Sequence, residues 1–262
     1  IQEQLVGQPN AVNAYIECCQ RYVGQQKTAL IWEGKNGESE QWSFEQLDVA
    51  SAQLANYFKS IGIQVGDCIA GLLPRTPELL ITILATWRIG AIYQPLFTAF
   101  ESKAIEHRVL TANTKLIVTN AEQRPKLNHV EVKHILTVNA GTNLTSNETD
   151  FWQEIKQQSD QCEAVLRSFD DDFLMMFTSG TTGLAKSVPV PLKAVLAFKG
   201  YMQHAVDLRE DDSFWNLADP GWAYGLYYGI TGPLSLGHSI IMDERAFSVD
   251  HAVEVIKKYR VS

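Results

Sequence analysis

Cysteine is scarce in this 262-residue chain, and none of Cys18, Cys19, Cys68 and Cys162 stands in a CxxC pair or near histidines at ligand intervals. That excludes the common zinc-site patterns and leaves reduced thiols as the reading. Long hydrophobic runs are also missing. The longest, Leu79 to Trp87, falls far short of the roughly 20 residues that cross a bilayer. Positive charge is in deficit, with 22 basic against 30 acidic side chains and a formal charge of -8. Without a local basic patch, that balance repels nucleic acid and anionic membrane, so neither is an expected partner. No signal peptide opens the chain, because Ile1 to Asn10 is polar, and a soluble cytoplasmic protein is expected. The Asn143-Leu-Thr145 and Asn147-Glu-Thr149 triplets match a glycosylation acceptor pattern that such a compartment would leave unused.

What is present suits a globular protein: 45% hydrophobic and 20% charged residues, in a chain long enough for one or two lobes. Ser43 begins a helix with Gln46 three residues on, a capping box, and Leu47, Ala50, Leu54, Phe58 and Ile61 then recur at helical spacing until Gly62. Cys68 to Leu73 is a short apolar run between turn residues and reads as a buried strand. Thr76 then caps a second helix with Pro77 at its first position, running to Gly90. Ala91–Leu96, Leu116–Thr119 and His134–Val138 read as further strands, and Glu101–Ala112 as a helix. This alternation predicts an α/β fold with a mostly parallel sheet flanked by helices. Residues 140–150 and 157–160 are polar and read as a surface excursion around a small helix. His251 to Tyr259 reads as a closing amphipathic helix, and Arg260-Val261-Ser262 as the start of a strand, which suggests a fragment.

Chemistry concentrates in one place. Phe173 to Phe177 has a buried-strand pattern and runs into Thr178-Ser179-Gly180-Thr181-Thr182-Gly183-Leu184-Ala185-Lys186-Ser187. Glycines turn backbone N–H groups inward, hydroxyls donate to phosphate oxygens, and an ammonium offsets their charge. Gly180 to Ser187 also nearly matches the nucleotide loop GxxxxGK[ST], with Ala185 in place of its second glycine and a candidate metal-binding aspartate at Asp243. In that motif the lysine opens a helix, whereas Pro189 and Pro191 predict extended chain from Ser187 and a helix only near Leu192. Both readings stay open on the residues alone. His107, His204, His238 and His251 stand singly and read as structural or surface residues, and Asp170 to Asp172 as a solvated turn.

The loop resembles the phosphate loop of the adenylate-forming (AMP-binding) superfamily: an aromatic residue, Thr-Ser-Gly-Thr-Thr-Gly, any residue, then Pro-Lys-Gly. Here Ala185 replaces the proline and Ser187 the glycine, which leaves the donors intact. Asp212-Ser-Phe-Trp-Asn-Leu-Ala-Asp219-Pro-Gly-Trp222-Ala-Tyr224-Gly225 resembles a segment of acetyl-, propionyl- and medium-chain acyl-CoA synthetases. Trp42 to Leu47, Gly62 to Leu73, Pro77-Glu-Leu and Arg88-Ile-Gly-Ala91 look like the opening elements of the same proteins.

The resemblance implies the N-terminal large domain of such an enzyme, built of two α/β subdomains and truncated. Residues 1–42 would be an N-terminal segment packing on the second lobe, 43–170 the first subdomain, and 171–262 the phosphate loop with the start of the second. The reaction implied joins ATP and a carboxylate into an acyl-adenylate and pyrophosphate, after which coenzyme A takes the acyl group as a thioester. ATP, Mg²⁺ and coenzyme A are thus implied, with Thr178, Ser179, Gly180, Thr181, Thr182, Gly183 and Lys186 holding the phosphates. Trp222 would wall the acyl pocket, Ala223 and Tyr224 would face the acid, and Gly225 would lie beside them, favouring a short or flat acid. Arg75 is a candidate for the nucleotide portion of coenzyme A. The adenylation lysine, adenine motif, ribose-binding aspartate and small C-terminal domain of the family would lie beyond Ser262. The chain alone is therefore expected to bind nucleotide weakly and to turn over little. An amino-acid-activating, aryl-CoA or luciferase-like relative, and a silent module that binds nucleotide or acyl-adenylate, are the alternatives.

Overall fold

The computed structural model describes residues 5–142, 144–178 and 183–262. Its first half runs α1 (Ala14–Cys18), β1 (Thr28–Glu33), β2 (Ser39–Ser43), α2 (Phe44–Ser60), β3 (Cys68–Leu72), α3 (Pro77–Arg88), β4 (Ile92–Pro95), α4 (Ser102–Thr111) and β5 (Thr114–Asn120). There follow β6 (His134–Val138), β7 (Glu148–Asp150), α5 (Phe151–Ile155), β8 (Asp172–Thr178), β9 (Lys186–Pro191), α6 (Ala194–His204), α7 (Ala223–Leu226), α8 (Gly232–Ser235), β10 (Ile240–Asp243) and α9 (Val249–Tyr259).

Local chemistry sets many of these limits. The Ser43 hydroxyl accepts from Gln46 N–H while the Gln46 side chain accepts from Ser43 N–H, so the capping box starts α2 as its spacing predicts. Gly62, at φ +87°, closes the turn after it in a conformation that a side chain would strain. Pro77 opens α3, where no intrahelical N–H is needed. Residues from Leu79 to Trp87 are all buried, because α3 packs on α1 and α2 on one side and on β3 and β4 on the other.

The main sheet has the order β7-β6-β5-β3-β4-β8-β9 and is parallel except for β9, which folds back on β8. Two apolar layers cover its faces. The larger joins α1, α2, α3 and α6 to the sheet, and the smaller packs Ile105 and Val109 of α4 on Ala70, Leu72, Ile117 and Ile135. Helices on both faces of a parallel sheet are the arrangement that βαβ crossovers impose. A second sheet has the order β10-β1-β2, with β1 parallel to β10 and antiparallel to β2.

The larger sheet runs across residue 170: β8 and β9 complete it, β8 through the pairing of Tyr93 with Leu174. Residues 140–150 are not wholly a surface excursion, since β7 pairs with β6 and buries Glu148 beside Arg124 at 3.0 Å. Within the described residues Arg260 to Ser262 are not part of a strand. Arg260 takes a left-handed conformation that caps α9, after which Val261 N–H donates to Ile256 O and Ser262 N–H to Ser213 O.

Candidate active site

The carboxyl ends of β3, β4 and β8 point the same way, which is where open parallel sheets bind ligands. Each is followed by a segment with chemical character. After β8 comes the glycine- and hydroxyl-rich turn. Ser179, Gly180, Thr181 and Thr182 lie outside the described residues, but the turn's two feet are in place. Thr178 and Lys186 are paired across the β8–β9 hairpin, and both are exposed at its mouth. Gly183 stands between them at φ +99°, a backbone state that favours glycine.

Lys186 opens a strand and not a helix, so the helix N-terminus that a GxxxxGK[ST] loop aims at phosphate is not formed at this lysine. The prolines explain why. Pro189 and Pro191 lack the N–H of a helix or a central strand, and β9 is an edge strand that tolerates the loss.

After β4 the chain carries Phe97 and Phe100, and here the Asp219 to Gly225 block docks. Trp222 packs against Phe97 and Phe100 with ring centroids 5.7 and 5.5 Å away, yet remains 45% exposed. Arg108 of α4 stacks on Phe100 at 4.1 Å and reaches Phe177, the aromatic just before Thr178, at 5.7 Å. Phe177, at the end of β8, and Trp222 are thereby joined through Arg108 and the Phe100 ring.

Tyr224 is 53% exposed and lines a cavity of about 340 Å³ with Val206, Phe214, Trp215, Leu217 and Tyr228. Ala223 is half-buried against the core and Gly225 is buried. Tyr228 links Tyr224 (5.2 Å) to Tyr201 (4.0 Å), while Tyr227 stacks on Phe198 at 4.2 Å and 16°. Burial pushes the Tyr227 phenol up to about 12. A π-helical turn at Tyr227–Thr231 sets this aromatic row, with Thr231 Oγ1 donating to Leu226 O.

Arg75, after β3, makes two hydrogen bonds within the protein: Nη2 donates to Leu217 O at 2.8 Å and Nη1 to Asp243 O at 3.1 Å, while its Nε is buried without a partner among the described residues. It ties the docked block and β10 to the main sheet. Asp219 accepts from Gly221 N–H at 2.7 Å. Burial raises its carboxyl above the usual range, against that hydrogen bond and the Arg75 charge.

Two of the histidines read as structural or surface residues make side-chain contacts. His107 Nε2 bonds the Ala185 carbonyl at 2.8 Å, and His251 bonds the Asp243 carboxylate. Neither contact has a sequence signal, because each joins separate elements. Asp170 to Asp172 are likewise more than a solvated turn, since Asp171 accepts from Arg167 Nε and Ser168 N–H, both at 2.9 Å.

Among the described residues, no group of three or more His, Cys, Asp or Glu side chains is arranged to hold a metal ion. No helix there is long and apolar enough to cross a membrane.

The fold and site define an α/β domain with an edge hairpin whose mouth carries Thr178 and Lys186, and with the exposed aromatic residues Trp222 and Tyr224. The model of the AMP-binding enzyme family matches residues 19–262, and the chain belongs to that family. An acetyl-coenzyme A synthetase of Deinococcus radiodurans is 32% identical, over 98% of this chain and 43% of that protein. One from Escherichia coli K12 is 28% identical over 89% of the chain and 39% of its own length. The crystal structure of Brucella canis acyl-CoA synthetase superposes with a TM-score of 0.96 at 48% identity, covering 100% of this chain and 48% of that one. The chain thus spans less than half the length of these relatives.

Proposed function

We propose that this chain forms the phosphate- and acid-binding part of an ATP-dependent acid–thiol ligase, which converts a carboxylate and ATP into an acyl-adenylate and pyrophosphate and then acylates coenzyme A. One observation carries the reading: Thr178 and Lys186 face each other at the mouth of a glycine-bearing hairpin, at the carboxyl end of a parallel sheet, in a chain of the AMP-binding family. Lys186 offsets the charge of the leaving β- and γ-phosphates while Thr178, Ser179, Thr181, Thr182 and the backbone at Gly180 and Gly183 donate to their oxygens. Catalysis is then mainly placement and charge stabilisation at the α-phosphate.

The acid lies against Trp222, Ala223 and Tyr224, and the modest cavity beside Tyr224 suits a short, medium-chain or aryl acid over a long fatty chain. Mg²⁺ is expected to accompany the nucleotide. Among the described residues, no His, Cys, Asp or Glu cluster is arranged to hold it. A cytoplasmic location accords with four free thiols. Because the relatives are more than twice as long, turnover is assigned to a polypeptide that adds an adenylation lysine and a small C-terminal domain. The chain alone turns over little.

The test is acid-dependent exchange of labelled pyrophosphate into ATP by that longer polypeptide, with acetate, propionate, butyrate, longer fatty acids, benzoate and amino acids in parallel. Exchange with one short or aryl acid, reduced on the order of 10²-fold by Lys186→Met, is the expected result. No exchange with any acid, from folded protein that binds ATP, would replace the ligase by a silent nucleotide-binding module.

A further inference from the structure

The outgoing leg of the hairpin has little to hold it. β9 is an edge strand, residues 186–189 are exposed, and its inner side is paired with β8 alone. From outside the hairpin, α4 reaches both legs with two consecutive side chains. His107 Nε2 lies 2.8 Å from Ala185 O on the outgoing leg, and Arg108 lies over Phe177 on the incoming one. A carbonyl oxygen only accepts, so His107 donates at Nε2.

Both residues are fixed from behind. Thr111 Oγ1 donates to His107 O at 2.7 Å, Gln94 Nε2 to Arg108 O at 3.0 Å, and Arg108 Nη1 to Ala104 O at 2.8 Å. Ile105 and Val109, on either side of the pair, are buried on the sheet, so α4 is a rigid base.

We propose that His107 and Arg108 are positioning residues that hold the two legs of the β8–β9 hairpin at a set spacing, with His107 supplying the hydrogen bond that fixes the outgoing leg before Lys186. The consequence for nucleotide binding rests on the phosphate-site reading given above; the geometric role does not. A loop whose donors are pre-placed loses less freedom on binding, so releasing one leg weakens affinity without removing any group that touches phosphate.

The experiment compares wild type, His107→Phe and His107→Gln in the longer polypeptide used for the pyrophosphate-exchange assay. It uses equilibrium titration with ATP and amide hydrogen exchange of the peptide covering 183–190. His107→Phe keeps a flat ring and loses the donor; His107→Gln keeps a side-chain N–H at similar reach. Loss of one such bond should speed exchange in that peptide and weaken ATP binding, each by about five- to tenfold, with His107→Gln within about twofold of wild type. Wild-type exchange and affinity in His107→Phe would overturn the proposal. Equal impairment in both variants would also overturn it, since it would mean that ring packing and not the donor matters. If wild type binds no ATP, the phosphate-site reading falls, and the exchange comparison still decides the positioning role.

Discussion

Gly225 offers a sharp test of how the Asp219 to Gly225 block is built. A methyl group on Gly225 would sit 2.2 Å from the Asp219 carbonyl oxygen, 2.5 Å from its carbon and 2.8 Å from the Ala218 oxygen. Carbon–oxygen contacts ordinarily settle near ~3.3 Å, so Gly225→Ala needs about 1 Å of backbone displacement. The obstacle is main chain, and the main chain of this segment is held by the Asp219–Gly221 hydrogen bond and by Arg75 on Leu217 O. Overpacking that cannot relax through a side chain belongs at the upper end of its usual range, about 3 kcal/mol. For a chain of this size that lowers Tm by roughly 6–12 °C.

Gly200→Ala is the matched control. Gly200 lies inside α6 with no atom within 4 Å of the added carbon. The change there should stabilise by up to ~1 kcal/mol and raise Tm by a few degrees. Thermal unfolding followed by circular dichroism reads both. If Gly225→Ala unfolds within about 2 °C of wild type, the close approach is not a constraint and the reasoning fails.

Asp243, 2% exposed, lies beside Arg245 Nε at 3.2 Å and accepts from His251. Burial raises its pKa, but the Arg245 backbone N–H, His251 and the Arg245 side chain outweigh it and hold the carboxyl below its usual range. A depressed carboxylate contributes stability in full above the unfolded value of ~3.9 and loses it as pH falls through the lower folded value. Asp243→Asn should therefore cost about 3 kcal/mol in urea unfolding at pH 7 and visibly less below pH ~3.5, and an equal cost at both would contradict this account. All four cysteines are free and buried, and burial pushes the Cys68 thiol up to about 12. An aromatic disulfide reagent should find essentially no fast-reacting thiol in native protein and four in denaturant, whereas rapid native labelling would refute the burial. Tyr224→Ala should shift pyrophosphate exchange toward longer acids, and an unchanged chain-length profile would remove Tyr224 from the acid pocket.

Much of the local structure was legible in the residues because its causes are local. Ser43 with Gln46 starts α2, Pro77 opens α3, and His134–Val138 is a strand to the residue. Pro189 and Pro191 alone make the chain after Lys186 extended, which separates this turn from a helix-opening nucleotide loop. The thiol count, the charge balance and the phosphate-type composition of residues 178–187 likewise need no coordinates.

Pairing across the chain was decided only in three dimensions, because a strand's periodicity reports which faces are buried and not which neighbour buries them. Nothing in Phe173 to Phe177 says that β8 lies beside β4, nor in Thr28–Glu33 that β1 lies beside β10. Trp222 against Phe97 and Phe100, Arg75 on two distant carbonyls, and His107 on Ala185 O are contacts of the same kind. The sequence carried the chemical groups and the stiffness of the segments that bear them. Burial between separate segments set the distances at which those groups meet.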